Sequence, residues 1–278
     1  MSLGNRRYIA QQLCSAWRRE NRSLYLAGIV DAQFVELQLD DGNLPPADFI
    51  SGTQGFAHID FLKIAGNHSP QTASDFLSKF AGLRGLHLDC MVTELPSAIT
   101  DMTQLTHLSL SDNDIRLTEA SAQRLASMVN LRELIMDNNP HLGVTPDVSA
   151  MSQLHRLQLV NTGLTQWPIG AETLARLEDL HLQENAISEI PEAVFTQERI
   201  GLPRRNILLH DNPLSPATLE RIEEYRRNTG VRLGGVLGPR HRPPATDGVS
   251  QWLSGVPAAD VPACKALWEQ LKAHEGAS

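Results

Sequence analysis

Aromatic residues make up only 5% of this 278-residue chain, although its apolar fraction is an ordinary 41%. Burial must therefore be carried by aliphatic side chains. Cysteine is rare: Cys14, Cys90 and Cys264 are odd in number and far apart, which excludes a disulfide framework and fits no zinc spacing. No run approaches the roughly 18 apolar residues of a transmembrane helix, so no membrane span is expected. Residues 1–10 include Asn5, Arg6 and Arg7 but no apolar stretch of the kind a secretory signal needs. Lysine is confined to Lys63, Lys79, Lys265 and Lys272, a bias that a GC-rich genome explains. Positive charge is in deficit, with Lys+Arg 24 against Asp+Glu 32 and a net charge of −8. That balance excludes nucleic acid as an expected partner. The mixture of 20% charged and 41% apolar residues excludes disorder as the chain's general state.

Leucine fills the gap. There are 39 leucines, and they recur as LxxLxLxx(N)x(L), with apolar residues at positions 1, 4, 6 and 11. The clearest copies are LTHLSLSDNDI (residues 105–115), LHRLQLVNTGL (154–164) and LEDLHLQENAI (177–187). Eight copies start at Phe34, Ile59, Leu83, Leu105, Leu131, Leu154, Leu177 and Arg204, the last without its first apolar residue. Their intervals of 22 to 27 residues match the leucine-rich-repeat period. Positions 4 and 6 alternate as in a strand, so both side chains enter one core. A single coil cannot bury that face alone and must stack on its neighbours. Asn67, Asn113, Asn139, Asn185 and Asn212 fall at position 9, where a short amide can bond the backbone of the turn and the adjacent coil. Gly42, Met91 and Thr162 stand there in the other copies. Leu95-Pro96, Trp167-Pro168 and Ile190-Pro191 follow in the return segment and favour extended or polyproline geometry. The longer repeats leave room for a short helix such as Thr118 to Met128. The fold class expected is α/β: a horseshoe leucine-rich-repeat solenoid of about eight repeats with a parallel concave sheet and helical caps.

The ends read differently. In NRRYIAQQLCSAWRRE (5–20), Ile9, Leu13, Ala16 and Trp17 share a helical face suited to covering the open end of the stack; a basic membrane-surface helix is the other reading. In SPATLERIEEYRRNTG (215–230), Ser215 suits a cap, Pro216 the first turn and Gly230 the stop. Leu219, Ile222 and Tyr225 form its apolar side. The organisation expected is a cap and leading strand over 1–33, repeats and capping helix over 34–230, a Gly/Pro-rich linker over 231–246, and the helical start of a further domain over 247–278.

Three segments carry a family resemblance: NRRxIAxQLxxAWRR at 5–19, HDNPLSPATLERIEEY at 210–225 and VSQWLSGVPAADVPACKALWEQLKAHE at 249–275. With the repeats between them, they resemble the NEL-type bacterial effector ubiquitin ligases, the group containing the IpaH and SspH proteins, and particularly the larger Pseudomonas-type members. The family passes ubiquitin through a thioester on a cysteine in a CxD motif. Here Cys14 precedes Ser15-Ala16, Cys90 precedes Met91-Val92 and Cys264 precedes Lys265-Ala266. No catalytic residue carries over, and the chain itself is not expected to be an enzyme. The resemblance implies a secreted bacterial effector acting in the host cytoplasm, with a catalytic domain that begins near residue 247 and continues past Ser278. It also implies a host protein substrate bound by the repeats, which can in addition pack on the catalytic domain and restrain it. A stand-alone binding protein, an adhesin or inhibitor, remains the alternative, and either would be a monomer.

Strand residues between the core leucines supply the candidate binding face. Positions 2 and 3 hold Arg84, Arg132, Arg156 and Arg205, with His107 and Asp179 among them. Positions 7 and 8 hold Asp40, Asp41, Asp89, Asp112, Asp137, Glu184 and Asp211. A basic ridge beside an acidic ridge is therefore expected, able to steer a partner of opposite pattern. Histidines recur on the same columns, including His87, His155, His181 and His210. The pairs His87/His107 and His181/His210 are expected to sit one strand apart, about 5 Å. Two histidines are too few for a metal, the Asp112/Asp114/Asp137/Asn139 group lacks a calcium loop, and no cofactor is expected. A Cys90 thiolate would be disfavoured by Asp89.

Overall fold

In a computed structural model, the described residues are 36–39, 59–66, 70–80, 82–196 and 206–230, with Gln11 and Leu233. Contacts divide the chain into two units, Met1–Val236 and Leu237–Ser278. The second unit lies outside the described residues, as do the helix expected over 5–20, nearly all of the linker, and Asp40, Asp41, Asn67 and Arg205.

Each leucine pattern supplies one short strand. These are β1 (Glu36–Leu39), β2 (Phe61–Ala65), β3 (Gly85–Asp89), β4 (His107–Ser109), β5 (Glu133–Ile135), β6 (Arg156–Gln158), β7 (Asp179–His181) and β8 (Asn206–Leu208). They form one eight-stranded sheet in chain order, and each neighbouring pair is parallel because every coil re-enters in the same direction. The register never slips: Leu37, Leu62, Leu86, Leu108, Leu134, Leu157, Leu180 and Ile207 are successive partners. A slip of one residue would turn that leucine column out of the core. The architecture is a leucine-rich-repeat solenoid with an open parallel sheet.

Return segments carry α1 (Pro70–Leu77), α2 (Ser97–Thr100), α3 (Glu119–Ala126) and α4 (Ala193–Thr196). Helix α3 starts where the sequence places it, on a capping box: Thr118 Oγ1 accepts from Ser121 N at 3.2 Å, and Ser121 Oγ accepts from Thr118 N at 2.8 Å. Pro96 adopts φ −56°, ψ 128°, the extended geometry expected of Leu95-Pro96. The last helix, α5 (Pro216–Thr229), has Ser215 as N-cap and Gly230 at φ 70° as its stop. Its buried side differs from expectation. Thr218 and Ile222 are buried while Leu219 is exposed; the Thr218 hydroxyl bonds Glu189 Oε2 at 2.8 Å, which sets that side of the helix against the return segment of the seventh coil. Phe195 and Tyr225 meet edge to face at 5.9 Å.

A second column runs behind the leucines. The Asn113 side-chain oxygen accepts from Cys90 N and Val92 N at 3.1 and 3.0 Å, and its amide donates to Leu88 O and Leu110 O at 2.9 Å each. Asn139 repeats this with Ile115 N, Leu110 O and Met136 O at 2.9 Å each. Asn185 accepts from Thr162 N and Leu164 N and donates to Leu159 O at 2.7 Å. Asn212 bonds Ile187 N and Leu182 O. Each amide thus satisfies backbone groups of its own coil and of the one before it.

The third repeat corrects the sequence register. It is one residue short after Leu88, so Cys90 rather than Met91 takes the ladder position, and its thiol donates to Ile64 O at 3.4 Å. Val92 then fills the apolar slot, and Met91 stands out at 64% exposure. Thr162 is too short to reach back. Its hydroxyl bonds Leu159 O of its own coil and Asn185 Oδ1 of the next.

Replacing Asn185 by Leu should cost about 2–6 kcal/mol, because two buried N–H groups lose their acceptor at roughly 1–3 kcal/mol each. Urea unfolding checks this, with the exposed Thr165→Ala as a control that should move stability by less than about 0.5 kcal/mol.

Candidate functional site

The sheet face opposite the core presents positions 3, 5 and 7 of each coil. Position 3 runs Phe61, Gly85, His107, Glu133, Arg156, Asp179, Asn206 across β2 to β8. Position 5 runs Lys63, His87, Ser109, Ile135, Gln158, His181, Leu208. Position 2 edges the sheet. There each carbonyl accepts two N–H groups from the next coil: Arg84 O from Thr106 and His107, Thr106 O from Arg132 and Glu133, Arg132 O from His155 and Arg156.

The register corrects the histidine pairs. His107 faces Gly85 and His87 faces Ser109, so the two are diagonal. His181 faces Leu208, leaving His210 two residues further along β8's coil. Among the described residues, no three His, Cys, Asp or Glu side chains gather as a metal would need.

The two-ridge expectation also needs correction. Arg156 is held between two acids: Nη1 lies 3.3 Å from Glu133 Oε1, and Nε and Nη2 lie 3.3 Å from Asp179 Oδ2. Asn206 Nδ2 continues the row to Asp179 Oδ1 at 3.3 Å. Position 3 is therefore a chain of alternating sign in which Arg156 is shared by Glu133 and Asp179, so two acids outweigh one arginine and the row is not basic. Arg84 and Arg132 remain exposed at position 2. On the other rim, Asp112, Glu184 and Asp211 adopt φ 58°, 57° and 60°, a left-handed turn that Asp and Asn tolerate best. Asn138 and Asn161 share the conformation. They extend a side-chain chain from Asp112, with bonds of 2.8 and 3.2 Å. Asp137 is a staple: its Oδ1 accepts from Val160 N at 2.8 Å. Burial, then the neighbouring Asp112, raises its pKa despite that bond.

His107 donates from Nδ1 to Thr106 Oγ1 at 2.8 Å, while that hydroxyl donates to Arg84 O at 2.9 Å. This fixes the tautomer and leaves Nε2 as an acceptor. Burial and then Arg132 push its pKa down to about 4. The Phe61 ring lies 6.0 Å from the imidazole, across the space that a side chain at Gly85 would fill. His181 is also shifted down, by burial first, with Asp179 opposing. Its Nε2 and Gln183 Oε1 are buried on the same face of β7 without hydrogen-bond partners among the described residues. Cys90 is buried and its thiol pushed up to about 12, by burial more than by Asp89, so it supplies no nucleophile.

Of the residues singled out in the sequence, Arg84, His107, Arg132 and Arg156 come together on the four central coils, β3 to β6. Asp179 and His181 join Arg156, whereas Glu184 and Asp211 lie on the far rim. Glu133, Gln183 and Thr106 were missed. Glu133 was legible as the acid at position 3 between His107 and Arg156; the role of Gln183 depends on burial, which no local pattern carries.

No family model matches the chain. In sequence it is 24% identical over 197 residues to Receptor like protein 27 of Arabidopsis thaliana, covering 68% of this chain and 21% of that protein. It is 26% identical over 185 residues to human Podocan-like protein 1, covering 57% of this chain and 35% of that one. The chain thus spans about a fifth to a third of the length of these relatives. In structure it is similar to an internalin from Listeria monocytogenes, with a TM-score of 0.50 at 20% identity, covering 68% of this chain and 49% of the other. That likeness establishes the repeat fold. With the repeat pattern and the sheet register, it defines the class as a leucine-rich-repeat solenoid.

The lowered pKa of His107 has a measurable consequence. Folding disfavours its proton, so its contribution to stability is complete above pH 6.5 and is lost as pH falls toward about 4. The loss is roughly 2–3 kcal/mol. Replacing His107 by Gln should flatten this part of the stability–pH curve, measured by urea unfolding at closely spaced pH.

Proposed function

We propose that the repeats recognise a host protein and present its lysines to a cysteine-type ubiquitin ligase domain of the NEL class, which they also restrain until the partner is bound. The chain would then belong to a secreted bacterial effector acting in the host cytoplasm. The observation that carries recognition is the sheet face itself, a rigid grid of polar and charged side chains set by backbone register. Support for the ligase comes from the three family-like segments at 5–19, 210–225 and 249–275. The described residues hold a buried, protonated Cys90, so any thioester chemistry belongs to residues other than these.

A second reading is a stand-alone repeat protein that binds a partner without catalysis. It draws on the sequence likeness to a receptor-like protein and a podocan-like protein.

The reading frame beyond Ser278 and one assay decide between them. The complete gene product, with and without residues 1–230, is mixed with a conjugating enzyme charged with ubiquitin. We expect ubiquitin discharge, faster by about tenfold without the repeats if restraint is worth roughly 1.4 kcal/mol. A complete protein that discharges nothing leaves the stand-alone reading.

A further inference from the structure

Two arginines, two histidines and a threonine occupy one edge of the sheet in four consecutive coils. Position 2 is Arg84, Thr106, Arg132 and His155 in turn, and His107 rises beside them at position 3. Backbone bonds of 2.7 to 3.0 Å tie each of these to the next, so the row is as rigid as the sheet. Arg84 and Arg132 are separated by two strand spacings, about 10 Å, with Thr106 between them. Both are exposed, and Arg132 forms no ion pair among the described residues. His155 donates from Nδ1 to Gln153 O at 2.7 Å, which turns its other nitrogen outward.

We propose that this edge is an acidic-peptide site: a carboxylate-bearing segment of the protein partner lies over His107, between Arg84 and Arg132. The inference rests on the interaction reading above and narrows it, since it assigns the contact to one edge of the central coils and one sign of charge. Arg156 is excluded from the site by its own Glu133 and Asp179.

Charge complementarity supports this assignment. Among the described residues, the groups around His107 are Arg84 from β3's coil with His87 diagonal to it, Arg132 and the strand partner Glu133 from β5's coil, and His155 from β6's coil. Glu133 is the one acid in that set, and its carboxylate is bound to Arg156. The field at the imidazole is therefore positive: Arg132, Arg84 and His155 each push its proton off. A carboxylate arriving there replaces repulsion with attraction and draws a proton onto Nε2, which then donates to it. Binding should tighten as pH falls, through proton uptake by His107. A carboxylate spans the gap between the arginines poorly, whereas successive Asp or Glu side chains two residues apart on an extended segment are about 7 Å apart and can engage both.

The test uses the intact chain and two probes, a hexaglutamate peptide and inorganic phosphate, with each histidine's titration followed by NMR of its ring Cε1–H. Alone, His107 should titrate near pH 4. With hexaglutamate its midpoint should rise by about one pH unit or more. Arg84→Gln with Arg132→Gln should abolish that rise, and Arg116→Gln, remote from the edge, should preserve it. The inference is overturned if hexaglutamate leaves His107 unmoved, if the double variant responds like the parent, or if all histidines move together. An equal response to phosphate at matched charge would also overturn it, since peptide geometry would then contribute nothing. A silent probe bears on this inference alone, because ubiquitin discharge tests the broader reading.

Discussion

The buried amide ladder is the interaction on which the rest of the structure depends. Leucine stacking supplies most of the stabilising free energy, but apolar contacts are not directional. The asparagines fix where each coil sits on the last, because every amide must satisfy two backbones at once. Each turn would otherwise leave buried N–H and C=O groups without partners, a cost that grows with every coil added. The columns of the sheet face are aligned only because this ladder aligns the coils. Where Thr162 fails to reach back, the seam between the fifth and sixth coils is held instead by Asp137 to Val160 N and by Glu133 to Arg156. Residues that look like ligand contacts in sequence are there part of the scaffold.

Repeat number, strand placement, the short α3 helix and the α5 helix with its caps were all legible in sequence, since each depends on spacing or on local turn chemistry. The exact ladder in the third coil was not. LDCMV allows either Cys90 or Met91 at the key position, and only the bond from the thiol to Ile64 O shows which coil length is used. The candidate face was legible as a set of columns but misjudged in charge. Positions 2 and 3 together read as basic from their four arginines, yet position 3 is mixed. Its sign is set by neighbours 23 residues away in either direction, which become adjacent only once the coils stack.

Burial separates the face into parts with different capacities. The middle, around Arg156, is half-buried and its arginine is shared by two acids, so it offers an incoming acid no free cation. The position 2 edge keeps exposed cations over a desolvated imidazole. The far rim keeps exposed acids in a turn. A chain with a net charge of −8 therefore still contains a local positive field, and bulk charge is a poor guide to what such a surface attracts.

The left-handed turn that closes each strand has an evolutionary consequence. Asp112, Asn138, Asn161 and Asp211 occupy equivalent places in four coils, and the backbone there accepts Asn and Asp about equally. Exchange between them alters one oxygen or nitrogen and leaves the turn intact, yet changes the rim by a full unit of charge. Partner preference on that side can therefore drift in integer steps while the stack beneath it stays unperturbed. On this rim, unlike the middle of the face, the residues that keep the solenoid folded are separate from those that set what it meets.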